Sequence, residues 1–275
     1  PSAMRTRVLT ALLILLGAAL LLVLILRWLE PSLIYFPSGP VQQTPTAAGL
    51  AYEDVEIRTA DGETLRAWWL PAGPQAPVLL FFHGNAGSRE HRLHTLQGLQ
   101  RAGIAVLIFD YRGYGGPSGT PSEAGLLRDG EAAHDWLRGR VGTRPIVFFG
   151  RSLGGALAAR VALRRPPAGL ILESTFTNAA AMASRVLPLP GVRFVMRSRF
   201  DALEALRELR MPLLFIHGDA DEVVPFAQGQ QLFESAASTA KAFHTVPGGR
   251  HNDTYLVAGE AYWVWLRAFL QRLEP

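Results

Sequence analysis

The residues best placed by type and spacing to do chemistry lie in Ile146-Val147-Phe148-Phe149-Gly150-Arg151-Ser152-Leu153-Gly154-Gly155, an apolar run that stops at a glycine and presents one serine. Gly150 and Gly154 flank Ser152 in a G-x-S-x-G spacing, which lets a strand reverse sharply into a helix without a Cβ clash. Such a nucleophile elbow lifts the hydroxyl clear of the sheet. The helix starting at Leu153 then turns its unpaired N–H groups and positive end toward any oxyanion formed beside that hydroxyl.

A serine needs a base, and neutral imidazole takes a proton near neutral pH. Seven histidines compete. His251 sits in Gly248-Gly249-Arg250-His251-Asn252-Asp253, a loop after an apolar strand and before the last helix, and it follows the serine and an acid in the order Ser, Asp, His. The acid is expected on the loop after the preceding strand, where Asp219, Asp221 and Glu222 compete. Asp221 is assigned, to hold the His251 tautomer and stabilise its imidazolium. Asp219 is read as a loop brace, Glu222 as solvated, and Glu173, closing an earlier strand, as the outside candidate. The loop His83-Gly84-Asn85-Ala86-Gly87 supplies the second oxyanion donor, so the backbone N–H groups of Asn85 and Leu153 are assigned to the oxyanion hole. His83 itself reads as a strand-end histidine bonded to loop backbone.

Other patterns lead elsewhere. Asp110-Tyr111-Arg112-Gly113-Tyr114-Gly115-Gly116 lacks the Lys-Ser/Thr ending of a phosphate loop and reads as bracing for the floor of the site. His91 and His94 have metal-ligand spacing on a helix but no adjoining carboxylate, so no metal is expected. With no cysteine there is no disulfide, thiol nucleophile or Cys-ligated zinc. The net charge of +4 is spread over many arginines rather than gathered in a stripe, which argues against nucleic acid and for weak attraction to anionic lipid.

The elements that must position these residues follow from hydropathy pattern. Fully apolar runs at 78–82, 105–109, 146–149, 170–172, 213–216 and 242–246 alternate with helical stretches at 89–101, 122–138, 153–164, 226–237 and 255–273. Strands buried on both faces with helices between them predict a mostly parallel central sheet with helices on both faces. The candidate residues cluster at the carboxyl ends of strands, where open parallel sheets hold ligands. Upstream, alternating runs at 55–59 and 65–70 around Ala60-Asp61-Gly62-Glu63 predict an antiparallel hairpin.

Residues 1–3, ahead of Met4, read as a cloning remnant, and residues 1–7 as that remnant plus a short cytoplasmic segment. An almost unbroken apolar run over 8–26 rises roughly 28 Å as a helix, one hydrocarbon thickness, which places a single uncleaved transmembrane anchor at 8–29. Arg5 and Arg7 before it against Arg27 after it put the N-terminus in the cytoplasm, hence the catalytic domain on the outer, periplasmic side of a bacterial inner membrane. Residues 30–50, with Pro31, Pro37, Pro40 and Pro45, read as a stiff tether, and 51–275 as the catalytic domain.

With these pieces placed, the chain resembles the α/β-hydrolase superfamily, and within it the membrane-anchored serine hydrolases of bud-emergence and depalmitoylase type. The resemblance runs from Leu33 onward and rests on His83-Gly84-Asn85-Ala86-Gly87, Phe109-Asp110-Tyr111-Arg112-Gly113-Tyr114-Gly115, Gly150-Arg151-Ser152-Leu153-Gly154-Gly155, Ile216-His217-Gly218 with Asp221, and His251-Asn252-Asp253. It implies hydrolysis of acyl esters or thioesters without a cofactor, with Ser152, Asp221 and His251 as the triad. A short lid is expected at about 176–200, apolar in Met182, Val186, Leu187, Phe194 and Met196 and basic in Arg185, Arg193, Arg197 and Arg199. The combined expectation is a serine esterase that meets the lipid bilayer and cleaves a small amphipathic acyl ester. Thioesterase or peptidase activity is the alternative on the same residues, and a non-catalytic membrane interaction module is the alternative of another class.

Overall fold

The computed structural model describes residues 2–116, 119–186 and 191–273, without the side chains of Ser2, Val192 and Arg193. The chain opens on the long helix α1 (Ser2–Ile34), whose apolar side chains from Val8 to Leu24 are largely exposed. By length and composition α1 is able to cross a membrane. It continues through Pro31, where a tether was expected to begin. Proline removes one N–H, and tertiary bonds to Glu30 and to the Ile34 carbonyl hold the last turn in its place.

A two-residue strand β1 (Phe36–Pro37) follows, then the hairpin β2 (Glu53–Arg58) and β3 (Thr64–Leu70), paired antiparallel around the Asp61-Gly62 turn. The alternating units are β4 (Val78–Phe82), the short β5 (Ala86–Gly87), α2 (Leu93–Arg101), β6 (Ala105–Phe109), α3 (Glu123–Val141), β7 (Ile146–Arg151) and α4 (Leu153–Ala162). After β8 (Gly169–Glu173) come α5 (Ala179–Val186), α6 (Val192–Val195) and α7 (Ala202–Glu208). The chain finishes with β9 (Leu213–Gly218), α8 (Phe226–Ser235), β10 (Lys241–Val246), α9 (Thr254–Ala258) and α10 (Glu260–Gln271).

Eight strands form one sheet in the order β10-β9-β8-β7-β4-β6-β3-β2, parallel from β10 through β6. From β4 the chain moves to β6 on one side and then crosses to β7 on the other. A parallel sheet opens its crevice at such a reversal, and there β4 delivers Asn85 while β7 delivers Ser152. Alternate residues face opposite layers. Phe82 and Phe148 belong to the core layer that includes buried residues of α3, α4 and α7, while Phe81 and Phe149 belong to the opposite layer with those of α2 and α10. Each such ring is fully buried and contributes about 1.5–3 kcal/mol over exposure.

Three further differences from the sequence reading concern α7, the last helix and the first strand. The single helix expected at 255–273 is two, because Gly259 (φ 56°) takes a left-handed backbone that interrupts the helix. Helix α7 has no counterpart in that reading. β1 pairs with β5 in a separate two-stranded ribbon, too short to carry a hydropathy pattern. Of the expected lid, residues 187–190 lie outside the described residues.

Candidate active site

Ser152 occupies the turn between β7 and α4 with φ 55° and ψ −122°, a conformation that costs a non-glycine residue about 1–3 kcal/mol. The sheet and helix hold it there: Ser152 N–H donates to the Glu173 carbonyl at 2.9 Å. A Cβ on Gly150 would lie 2.5 Å from Gly155 Cα, and one on Gly154 would lie 2.0 Å from the Phe82 carbonyl oxygen. The two glycines of the motif are therefore demanded by backbone approach.

The structure brings the three expected side chains together in a buried line. His251 Nε2 stands 3.1 Å from Ser152 Oγ, and His251 Nδ1 stands 2.9 and 3.1 Å from the Asp221 oxygens. Since the carboxylate only accepts, Nδ1 carries the proton and Nε2 faces the hydroxyl as an acceptor. Asp221 Oδ1 also accepts from the N–H groups of Val223 and Val224 at 2.9 and 2.8 Å. Burial works against the Asp221 charge, but hydrogen bonds from His217, His251 and Val224 outweigh it and hold the carboxyl well below the usual range.

Asp219 accepts from Gly248 N–H at 2.7 Å and braces the histidine loop. Glu222 is exposed, yet its carboxylate accepts His251 N–H at 3.3 Å. Glu173 is engaged elsewhere: it is buried, accepts from Tyr262 Oη at 3.0 Å and from Thr254 Oγ1, and lies 3.9 Å from the Arg151 guanidinium. Arg151 in turn donates to the His251 carbonyl at 3.1 Å.

Asn85 and Leu153 line the same cavity as Ser152. Leu153 is the first residue of α4, so its N–H has no partner within the helix. The Asn85 carbonyl accepts from Tyr114 Oη at 2.8 Å and from Phe36 N–H at 2.9 Å, which fixes the orientation of the loop. His83 beneath it is buried, with Nδ1 donating to the Gly84 carbonyl at 2.7 Å, and burial pushes its pKa down. Asp110 pairs with Arg89, and Tyr111 Oη donates to the His83 carbonyl at 2.8 Å, so this stretch braces the loop from below. His91 Nδ1 accepts from Ser88 N–H at 3.1 Å. Among the described residues no three His, Asp or Glu side chains gather where they could hold a metal ion.

The cavity measures about 410 Å³ and is almost wholly apolar. Phe176, Met182, Val186, Val195 and Met196 form one side, and Leu26, Leu33 and Ile34 of α1 form another. The start of α5 and the chain after α6 are drawn together, where Ala179 N–H donates to the Arg199 carbonyl at 2.7 Å, and Glu123 receives the N–H groups of Arg199 and Phe200.

Sequence reasoning missed three contributions. His217 Nε2 lies 3.3 Å from Asp221 Oδ2 and 3.0 Å from the Val224 carbonyl, and its only signal was its place at a strand end beside Gly218. Arg151 was legible as a motif position but not as a support for His251. The α1 lining carried no signal, because an apolar helix end looks the same whether it meets lipid or a pocket.

A family model described as Hydrolase_4, serine aminopeptidase, S33, matches residues 73–199 and 191–254. An uncharacterized protein of Mycobacterium tuberculosis is 40% identical over 245 residues, covering 86% of this chain and 86% of that protein. A lysophosphatidylserine lipase of Rattus norvegicus, ABHD12, is 34% identical over 228 residues, covering 72% of this chain and 57% of its own length. Among solved structures, the Pyrococcus furiosus esterase Pf2001 superposes with a TM-score of 0.72 at 25% identity, covering 87% of this chain and 99% of that one. The arrangement of Ser152, His251 and Asp221 is a serine-hydrolase geometry within an α/β-hydrolase fold, consistent with esterase or lipase chemistry.

Proposed function

The chain belongs to the serine aminopeptidase, S33, family of α/β-hydrolases, and from that premise we propose a membrane-anchored serine esterase that cleaves carboxylic esters of apolar acyl chains. The observation that carries this reading is the apolar cavity lined in part by Ser152, whose Oγ stands 3.1 Å from His251 Nε2.

Ser152 Oγ attacks the ester carbonyl carbon as His251 Nε2 takes its proton, and Asp221 steadies the imidazolium so formed. The N–H groups of Asn85 and Leu153 receive the oxyanion. Collapse breaks the ester C–O bond, His251 protonates the departing alcohol, and the acyl group stays on Ser152. Water, deprotonated by His251, then attacks the acyl-enzyme carbonyl, and collapse breaks the Oγ–acyl bond, releasing the carboxylic acid as His251 returns the proton to Ser152 Oγ. No step calls for a cofactor or a metal.

The lining favours an acyl chain over a peptide N-terminus. Glu30 is the acidic residue in the wall, and both of its oxygens are committed to the N–H groups of Arg197 and Ser198, so it does not await an ammonium group. Met182 and Val186 of α5 with Val195 and Met196 at the end of α6 serve as a short cap over this chain. α1 serves as the bilayer anchor in this reading, and the arginine bias supports a catalytic domain on the outer side of a bacterial inner membrane. Lipase action on a lysophospholipid by the rat relative supports an amphipathic, lipid-like substrate.

The test is turnover of chromogenic oxygen esters, thioesters and short peptides on one preparation, beside fluorophosphonate labelling of wild type and Ser152→Ala. Ester turnover and labelling, both lost in Ser152→Ala, are expected. Retained turnover in that variant would end the assignment, and preference for thioesters or peptides would redirect it. Digestion of the catalytic domain by external protease in right-side-out vesicles is expected, and protection would reverse the orientation.

A further inference from the structure

The last two turns of α1 make contacts that an anchor alone does not require. Leu26, Glu30 and Leu33 recur at i, i+4 and i+7 and so share one helix face, and all three line the cavity that holds Ser152. Arg27 Nε donates to the Val195 carbonyl at 3.0 Å. Glu30 is buried, and its two oxygens accept from Arg197 N–H at 2.8 Å and Ser198 N–H at 2.7 Å. A carboxylate buried on an apolar helix is costly unless its oxygens are bonded, and here both are bonded to the chain just after α6. At the helix end, Asn85 Nδ2 donates to the otherwise orphaned Ile34 carbonyl at 2.9 Å, and Phe36 N–H returns a bond to the Asn85 carbonyl. One short stretch thus touches the acyl cavity, the cap and the loop expected to bind the oxyanion.

Its depth relative to a bilayer follows from helix rise. The apolar run over 8–26 fills about 28 Å, one hydrocarbon thickness, and the eight residues from Arg27 to Ile34 rise about 12 Å more, into the headgroup layer. The mouth of the cavity therefore stands where the ester bonds of lipids lie. Leu33, Phe36, Val186 and Val223, which line the cavity, also leave large apolar surface exposed at its rim. An exposed apolar rim continuous with a membrane helix is suited to contact with lipid rather than water.

We propose that the end of α1 is a specificity-determining wall of the active site: an acyl chain of a bilayer lipid passes from the hydrocarbon along Leu33 and Leu26 into the cavity, bringing its ester to Ser152 without crossing water. Glu30 is the latch that holds this wall to the cap. The inference rests on the reading of Ser152 as the nucleophile of an acyl esterase.

The test uses the full-length enzyme in detergent micelles and the ratio of kcat/KM for p-nitrophenyl palmitate to that for p-nitrophenyl butyrate. Leu26→Trp and Leu33→Trp fill the wall, and the ratio is expected to fall roughly tenfold or more. Leu24→Trp, on the opposite face of α1, is expected to leave it unmoved. Glu30→Gln replaces one acceptor with a donor and is expected to raise KM for palmitate while fluorophosphonate labelling of Ser152 persists. If either tryptophan variant does not fold, phenylalanine at the same position carries the measurement. A ratio unmoved by the Leu26 and Leu33 variants, or moved equally by Leu24→Trp, overturns the inference and leaves the esterase reading intact. Failure of wild type to turn over either ester, or activity in Ser152→Ala, overturns the esterase reading itself.

Discussion

His217 and Asp221 are joined, His217 Nε2 lying 3.3 Å from Asp221 Oδ2, the carboxylate oxygen that also stands 2.9 Å from His251 Nδ1. The same Nε2 lies 3.0 Å from the Val224 carbonyl, so it carries the proton and donates to both acceptors. The line from Ser152 through His251 to Asp221 thus has a fourth member that holds the carboxylate. His217 acts through Asp221 and is a positioning residue.

Replacing His217 with phenylalanine removes that donor. The variant is expected to lose about 10- to 100-fold in kcat with little change in KM, by analogy with loss of outer partners of other site residues. The distinguishing readout is rescue by a variant that keeps a donor: His217→Gln is expected to recover most of the lost kcat, and equal losses in the phenylalanine and glutamine variants would assign His217 a purely structural role.

Asp221→Asn preserves shape but turns an amide N–H toward His251 or favours the wrong tautomer. A fall of about 10⁴-fold in kcat is expected, with the thermal midpoint nearly unchanged, measured by ester turnover beside a melt.

Ser152→Gly separates chemistry from strain. The residue at φ 55° carries a conformational cost that glycine does not. The variant is expected to be inactive yet more stable by about 1 kcal/mol, seen as a raised melting temperature, whereas Ser152→Ala is inactive without that gain.

Glu173→Ala deletes a buried carboxylate that binds Thr254 and Tyr262 and faces Arg151. Losing one partner of a buried charge pair costs about 3–5 kcal/mol. Because Arg151 also holds the His251 carbonyl, activity is expected to fall together with stability, and chemical denaturation monitored by tryptophan fluorescence measures the latter.

Stability is expected to decline as pH falls from about 7.5 to about 5.5. His83, His134 and His244 are each held below the ordinary imidazole range, burial being the first cause. The unfolded chain takes up protons near pH 6.5 while the folded chain does not, so stability from these groups is present above that value and is lost below it. Melting temperature against pH should show this slope, and His83→Gln should flatten part of it.

Much of the fold was legible because hydropathy period is a local property. The six apolar strands stand where their runs placed them, five of them buried throughout while β10, at the sheet edge, is mostly half-buried, and the hairpin closes on the Asp61-Gly62 turn. The break at Gly259 was not legible, since glycine within an amphipathic run is compatible with a continuous helix until packing selects its left-handed conformation. The continuation of α1 through Pro31 depends on Glu30 finding Arg197 and Ser198, residues far along the chain.

What the sequence by itself determined is the elbow: Gly150 and Gly154 around Ser152 specify a turn whose backbone contacts exclude a Cβ, and chain order places Asp221 and His251 at neighbouring strand ends. Only the tertiary structure decided that His217 backs Asp221, that Arg151 supports His251, and that Leu26, Glu30 and Leu33 face the cavity of Ser152. The physical reason is range. Turn and strand preferences are set by a residue and its neighbours, whereas a hydrogen bond or a shared wall between distant segments exists only once the sheet has fixed where each segment ends.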